Sequence, residues 1–117
     1  MRPFFETSSA TRVIAQHALD VSYSDRKVWA RVYEPALEPD GYTWGCRITI
    51  SEPFDIDLKL YQVTSLLALM ASLEILSMHL YISPEWKDKE LGFNGAFGGD
   101  LGIPAGRYSS HVAPYSF

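Results

Sequence analysis

The chain is short of three things, and each shortage excludes a class of protein. Cysteine occurs once in 117 residues, at Cys46, so no intrachain disulfide can form and nothing in the thiol content points to an oxidising compartment. The expectation is a cytoplasmic protein. Basic residues are also scarce: 10 Lys and Arg stand against 14 Asp and Glu, for a net charge of -4. The deficit is even, seven basic against nine acidic residues over 1–60 and three against five over 61–117. Nucleic-acid binding draws on counterion release by a basic surface, so no nucleic-acid partner is expected.

The third shortage is of uninterrupted apolar sequence. Pro3 and Glu6 stand where a signal peptide needs a continuous apolar stretch. The segment from Val63 to Ile82 has the length of a bilayer span, but Glu74 lies near its centre, where an acid costs about 2.5–3.5 kcal/mol. Ser65, Ser72, Ser77 and His79 interrupt it further. No membrane partner is expected.

What is present is core-forming material: 47% hydrophobic residues, 14% aromatic and only 21% charged, enough for one domain over residues 1–117. Within it, 1–10 reads as loosely ordered, 12–61 as sheet, 64–82 as helix and 83–117 as an irregular segment. Four stretches alternate with period two. In the first, Val13, Ala15, His17, Leu19, Val21 and Tyr23 share one side, and Ser24-Asp25 supplies a two-residue turn. The second runs from Arg26 to Glu34, with Val28, Ala30 and Val32 opposed to Trp29, Arg31 and Tyr33. Two prolines and Asp40-Gly41 make a loop of residues 35–41. The third stretch, Tyr42 to Ser51, sets Tyr42, Trp44, Cys46, Ile48 and Ile50 against Arg47 and its small polar neighbours. After Glu52-Pro53 the fourth alternates Phe54, Ile56, Leu58 and Leu60 with Asp55, Asp57, Lys59 and Tyr61. Short connections imply antiparallel neighbours, hence a four-stranded antiparallel meander.

The period then changes. Thr64 or Ser65 caps a helix that Pro84 closes. Its main stripe is Val63, Leu66, Leu67, Met70, Leu73, Leu76 and Leu80, expected to cover the sheet. The other side carries Ser65, Ala68, Ser72, Ile75 and His79. A solvated face normally holds Lys and Glu, so either the C-terminal segment or a second subunit is expected to cover this one. Residues 83–117 hold six of the eight glycines together with Trp86, Phe93, Phe97, Tyr108, Tyr115 and Phe117. That composition predicts an irregular segment packing its rings over the domain, with a short strand near Gly102-Ile103-Pro104. The fold class is therefore α+β, one long helix packed on the meander.

Trp44-Gly45-Cys46-Arg47 followed by Thr64-Ser65-Leu66-Leu67-Ala68-Leu69, and then Gly102-Ile103-Pro104, resembles a family of small bacterial proteins of unknown function. These pair a Trp-Gly-Cys strand with a helix opening acidic-Ser-Leu-Gln-Ala-Leu. Thr64 and Leu67 depart from that pattern, which prefers an acid and a polar residue there. The resemblance spans roughly residues 12–106 and implies a small helix-covered sheet without implying a chemistry. Some small bacterial proteins of this size and shape look like immunity proteins of toxin systems, a likeness of fold alone.

Catalytic constellations are scarce. Cys46 is the one thiol, and His17 lies on the same core-facing side, so strand geometry allows a Cys-His pair. A cysteine between Trp44 and Ile48 more ordinarily acts as a small buried hydrophobe. The three histidines, His17, His79 and His111, share no metal-ligand spacing, and Asp55 and Asp57 read as solvated charge. No metal and no cofactor is expected. The glycine-rich end lacks a Gly-Lys-Ser/Thr ending, and Ser109-Ser110-His111 has no nucleophile elbow around it.

The surface hint is Trp29, Arg31 and Tyr33 on the outward side of strand two, with Arg47 on strand three and Tyr61 at the end of strand four. Such a face can anchor a protein partner, stack nucleobases, which the acidic balance disfavours, or be buried by the C-terminal rings. The expectation is a non-catalytic protein that binds another protein or a copy of itself, with an immunity-type inhibitor as its most concrete form. The alternative is a small-ligand or enzyme pocket lined by His17, Tyr42, Trp44 and Cys46.

Overall fold

A computed structural model describes residues 12–105. The expectations for residues 1–10, for His111 and for the rings of Tyr108, Tyr115 and Phe117 lie outside the described residues. The elements are β1 (Val13–Val21), β2 (Ser24–Tyr33), β3 (Ala36–Leu37), β4 (Trp44–Ile50), β5 (Ile56–Gln62), α1 (Ser65–Tyr81), α2 (Pro84–Lys87), β6 (Leu91–Phe93) and β7 (Ala96–Phe97).

The α+β class and the antiparallel pairing are present, but the expected four-stranded meander is corrected to a seven-stranded sheet among the described residues. The four long strands do lie side by side as β1, β2, β4 and β5. Three short strands enlarge the sheet. β3 extends the line of β2 along the same edge of β4, pairing Ala36 with Gly45 and Leu37 with Trp44, after Pro35 interrupts the ladder. β6 and β7, from the segment expected to be irregular, add a hairpin to the free edge of β1. The left-handed backbone of Asn94 (φ 53°) and Gly95 (φ 81°) makes that turn.

Boundaries moved for local reasons. The first hairpin turns at Ser22–Tyr23, not Ser24-Asp25, with Val21 paired to Ser24. Neither turn residue takes positive φ, and a register shift between Leu19 and Val21 absorbs the mismatch with strand twist. Tyr42 falls outside β4 because Asp40 Oδ1 accepts the backbone N–H groups of both Tyr42 and Thr43, at 3.0 and 2.8 Å, and holds them in a turn.

The core lies between one sheet face and α1. Leu19, Val28, Ala30, Val32, Cys46, Ile48 and Ile50 from the strands meet Ala68, Leu76 and Leu80 of the helix. Thr64 caps α1, its hydroxyl accepting from the Leu67 N–H at 3.1 Å. Pro84 does more than close α1: it opens α2, whose cap Ser83 accepts from the Trp86 N–H and donates to the Leu80 carbonyl.

The rotation of α1 corrects the expected stripe. Ala68 and Ser72, assigned to the outer side, are buried against the sheet, and the Ser72 hydroxyl donates to the Cys46 carbonyl at 3.1 Å. Their small side chains allow close approach to β4. Val63, Leu66, Leu67 and Met70 of the predicted core stripe are exposed instead.

The C-terminal segment lies on this same side, beside the helix. The Tyr81 hydroxyl donates to the Ile103 carbonyl at 2.5 Å and accepts from the Leu101 N–H at 3.0 Å. The Ser77 hydroxyl donates to the Pro104 carbonyl at 2.6 Å. Trp86 Nε1 donates to the Gly99 carbonyl, its ring edge-on to Tyr81. Residues 102–104, expected to form a short strand, are held by these side chains instead.

Candidate functional site

Period-two alternation that buries Val28, Ala30 and Val32 puts Trp29, Arg31 and Tyr33 on the opposite side of the sheet. There they meet Arg47 and Thr49 of β4, Asp57, Lys59 and Tyr61 of β5, and Gln16 of β1. All five residues expected to bind a partner therefore share one face. Among the described residues, the C-terminal segment does not cross it.

The face is organised by paired charges and stacked rings. Arg47 makes two hydrogen bonds to Asp57, at 2.9 and 2.8 Å, and its guanidinium lies 4.6 Å from the Tyr33 ring centroid. Those hydrogen bonds hold the Asp57 carboxyl below its ordinary pKa and raise that of Arg47. Lys59 pairs with Glu38 at 2.9 Å and sits near the Tyr61 ring. Gly45 makes that pair fit, since a Cβ there would stand 2.6 Å from both Glu38 Oε2 and Lys59 Cε. Lys27 pairs with Asp20 at the near end of β2, and this contact, with the Gly95 N–H, lowers the Asp20 pKa.

Arg31 differs. Its guanidinium lies 5.4 Å from the Trp29 ring centroid, and its Nε donates to the neutral Gln16 side chain at 3.0 Å. Among the described residues it has no carboxylate partner. Opposite-charge spacing along a strand is legible in sequence, but Glu38, which neutralises Lys59, arrives from a loop that alternation does not reach.

His17, Tyr42, Trp44 and Cys46 are not gathered around one cavity. His17 is level with Ala30 and Ile50 on adjacent strands, whereas Cys46 lies four residues further along β4. At ~3.3 Å per residue and ~4.8 Å per strand, they are roughly 16 Å apart. Cys46 is fully buried, its thiol donating to the Tyr33 carbonyl at 3.4 Å, and burial pushes its pKa up. His17 Nε2 lies 2.8 Å from the Leu101 carbonyl, which can only accept, so this nitrogen carries the proton. Its ring stacks on Phe93. Tyr42 is 71% exposed in its turn, and Trp44 packs against the core edge.

A groove of about 710 Å³ opens at the end of the sheet between the β1–β2 hairpin and the turn after β4, lined in part by Tyr23, Arg26, Trp29 and Glu52. None of His17, Tyr42, Trp44 and Cys46 lines it. Among the described residues no cluster of His, Cys, Asp and Glu could hold a metal ion, and no helix is long and apolar enough to cross a membrane.

The antiparallel sheet and helix that carry this face coincide with a family model described as a domain of unknown function (DUF6968), which matches residues 15–105. The chain belongs to the DUF6968 family. The matched span runs from β1 to the residues that Tyr81 and Ser77 hold beside α1, so the sheet face and its supporting core both lie within the DUF6968 domain. No curated protein and no solved structure matches the chain.

Proposed function

We propose that this DUF6968 protein is a non-catalytic binding module whose outer sheet face docks another protein, anchored by Trp29 and Arg31 on an acidic side chain of the partner. The observation that carries this reading is Arg31, a guanidinium stacked on an indole without a carboxylate, central on a face whose other cations are already paired. Arg and Trp are the side chains that most often dominate binding energy at interfaces. A partner carboxylate would complete the one ion pair the face leaves open.

The same charge argues against self-pairing through this face, because a two-fold contact brings two copies of an uncompensated Arg31 together. An acidic partner suits it better, and an inhibitor of the immunity type is one concrete form of such a module. The non-catalytic part of the reading rests on the burial of Cys46 and its separation from His17.

The test is affinity for a partner captured with the intact protein. Trp29→Ala with Arg31→Ala is expected to weaken binding by roughly 30-fold or more, since loss of an interface anchor costs about 2 kcal/mol or more. Unchanged affinity in the double variant would refute the assignment of this face.

A further inference from the structure

One stripe of α1 is buried at one end and open at the other. Leu66, Met70, Leu73, Ser77 and Tyr81 recur at spacings of three and four residues and so lie along one side of the helix. At the C-terminal end, Tyr81 and Ser77 are fully buried under residues 101–105. At the N-terminal end the same side is open: Leu66 is 62% exposed and Met70 52%, with Val63 at 70% and Leu67 at 43% beside them. Four large apolar side chains in one strip exceed the scattered single exposures of an ordinary surface.

The direction of the covering chain supplies an occupant. Leu101 and Ile103 are tied to Tyr81, Pro104 to Ser77, one helical turn earlier, and Ala105 follows in the core. The chain therefore runs antiparallel to α1, toward the open strip. From Ser77 to Leu66 is eleven residues, about 17 Å of helix. Residues 106–117 lie outside the described part of the structure. Twelve residues reach up to ~40 Å when extended, and these include Tyr108, Val112, Tyr115 and Phe117.

We propose that the strip formed by Val63, Leu66, Leu67 and Met70 is the docking surface for residues 106–117 of the same chain, which continue the cover begun by 101–105. The rings of Tyr108, Tyr115 and Phe117 supply the apolar contact, and the only charged side chain among the twelve is Arg107.

The test uses the full chain carrying a nitroxide on Ser116→Cys or Ser109→Cys; Cys46, being fully buried, is not labelled in the folded protein. Methyl signals of Leu66, Leu67 and Met70 are expected to broaden in molecules carrying both label and isotope. They should stay sharp when the label and the isotope are on different molecules. Equal broadening in the mixed sample would show a second copy on the strip and overturn the proposal, as would the absence of broadening in both samples. Leu66→Asp with Met70→Asp, substitutions at exposed positions, should abolish the intramolecular broadening of the Leu67 methyls, the reporter that this variant keeps, while the methyl signals of the Ile48 and Leu80 core stay unshifted. Persistence of the broadening in that variant would also overturn it.

Discussion

Replacing Tyr81 by phenylalanine removes one oxygen and leaves the ring, yet the structure makes that oxygen the tie between α1 and the C-terminal segment. The hydroxyl donates to the Ile103 carbonyl, accepts from the Leu101 N–H and lies 3.4 Å from the Asp100 carboxylate. Leu101 is fully buried, so its N–H cannot turn to water when the hydroxyl is lost, whereas the half-buried Ile103 regains part of its hydration. An orphaned buried polar group costs about 1–3 kcal/mol, which for one full and one partial loss gives about 2–4 kcal/mol. In a domain of this size, Tm should fall by roughly 10–25 °C. Urea unfolding measures the free energy, and amide exchange at Leu101 localises it. Ser77→Ala should cost less, about 0.5–1.5 kcal/mol, because Pro104 is exposed and its carbonyl recovers water. A Tyr81→Phe loss below about 0.5 kcal/mol, or an unchanged Leu101 exchange rate, would refute the reasoning.

Other outcomes follow from the same geometry. Cys46, buried and protonated at neutral pH, should resist alkylation in the folded protein and react only at the rate of opening, which timed iodoacetamide labelling followed by mass measurement reads directly. Asp57→Asn should lower stability at pH 7 by about 0.2–1 kcal/mol, the range for a largely exposed ion pair. Because the folded-state pKa of Asp57 is depressed, that contribution is complete above the unfolded value near 3.9 and disappears as pH falls through the folded one. The two proteins' unfolding curves should therefore converge in acid. Gly92→Ala places a Cβ against the Ala96 carbonyl and 2.7 Å from the Phe97 ring, and should cost about 1–3 kcal/mol, with amide exchange accelerated in β6 and β7.

The strands were legible because one face of each is buried, which imprints period two on Val28, Ala30 and Val32 and on Cys46, Ile48 and Ile50. For the same reason the outward positions of Trp29, Arg31, Tyr33, Arg47 and Tyr61 could be read together. The rotation of α1 could not. Its apolar residues run almost all the way round, so no stripe outweighs the others, and the deciding terms are close approach at Ala68 and one hydrogen bond from Ser72 to β4. The edge strands were illegible for another reason. β6 and β7 are three and two residues long, too short to show a period, and they form where the free edge of β1 offers unpaired backbone groups to a turn at Asn94-Gly95. The ion pair of Glu38 with Lys59 depends on where a loop passes over Gly45, and no local pattern encodes that.

The two surfaces proposed for contact differ in what each leaves unsatisfied, and this keeps the two proposals separable. On the outer sheet face the rings carry guanidinium and ammonium groups, three of the four cations have carboxylates, and the remaining deficit is one negative charge at Arg31. Such a face tolerates water and suits a reversible partner, whose association should weaken with salt. Along α1 the deficit is of apolar cover, which salt does not screen and for which we propose residues 106–117 of the same chain. The Trp29 and Arg31 variant should therefore leave the intramolecular broadening of the Leu66 and Met70 methyls intact. Conversely, Leu66→Asp with Met70→Asp should leave partner affinity unchanged. If instead either double variant abolished both signals, the partner and the C-terminal residues would be coupled through the sheet, and the independence argued from these two faces would be wrong.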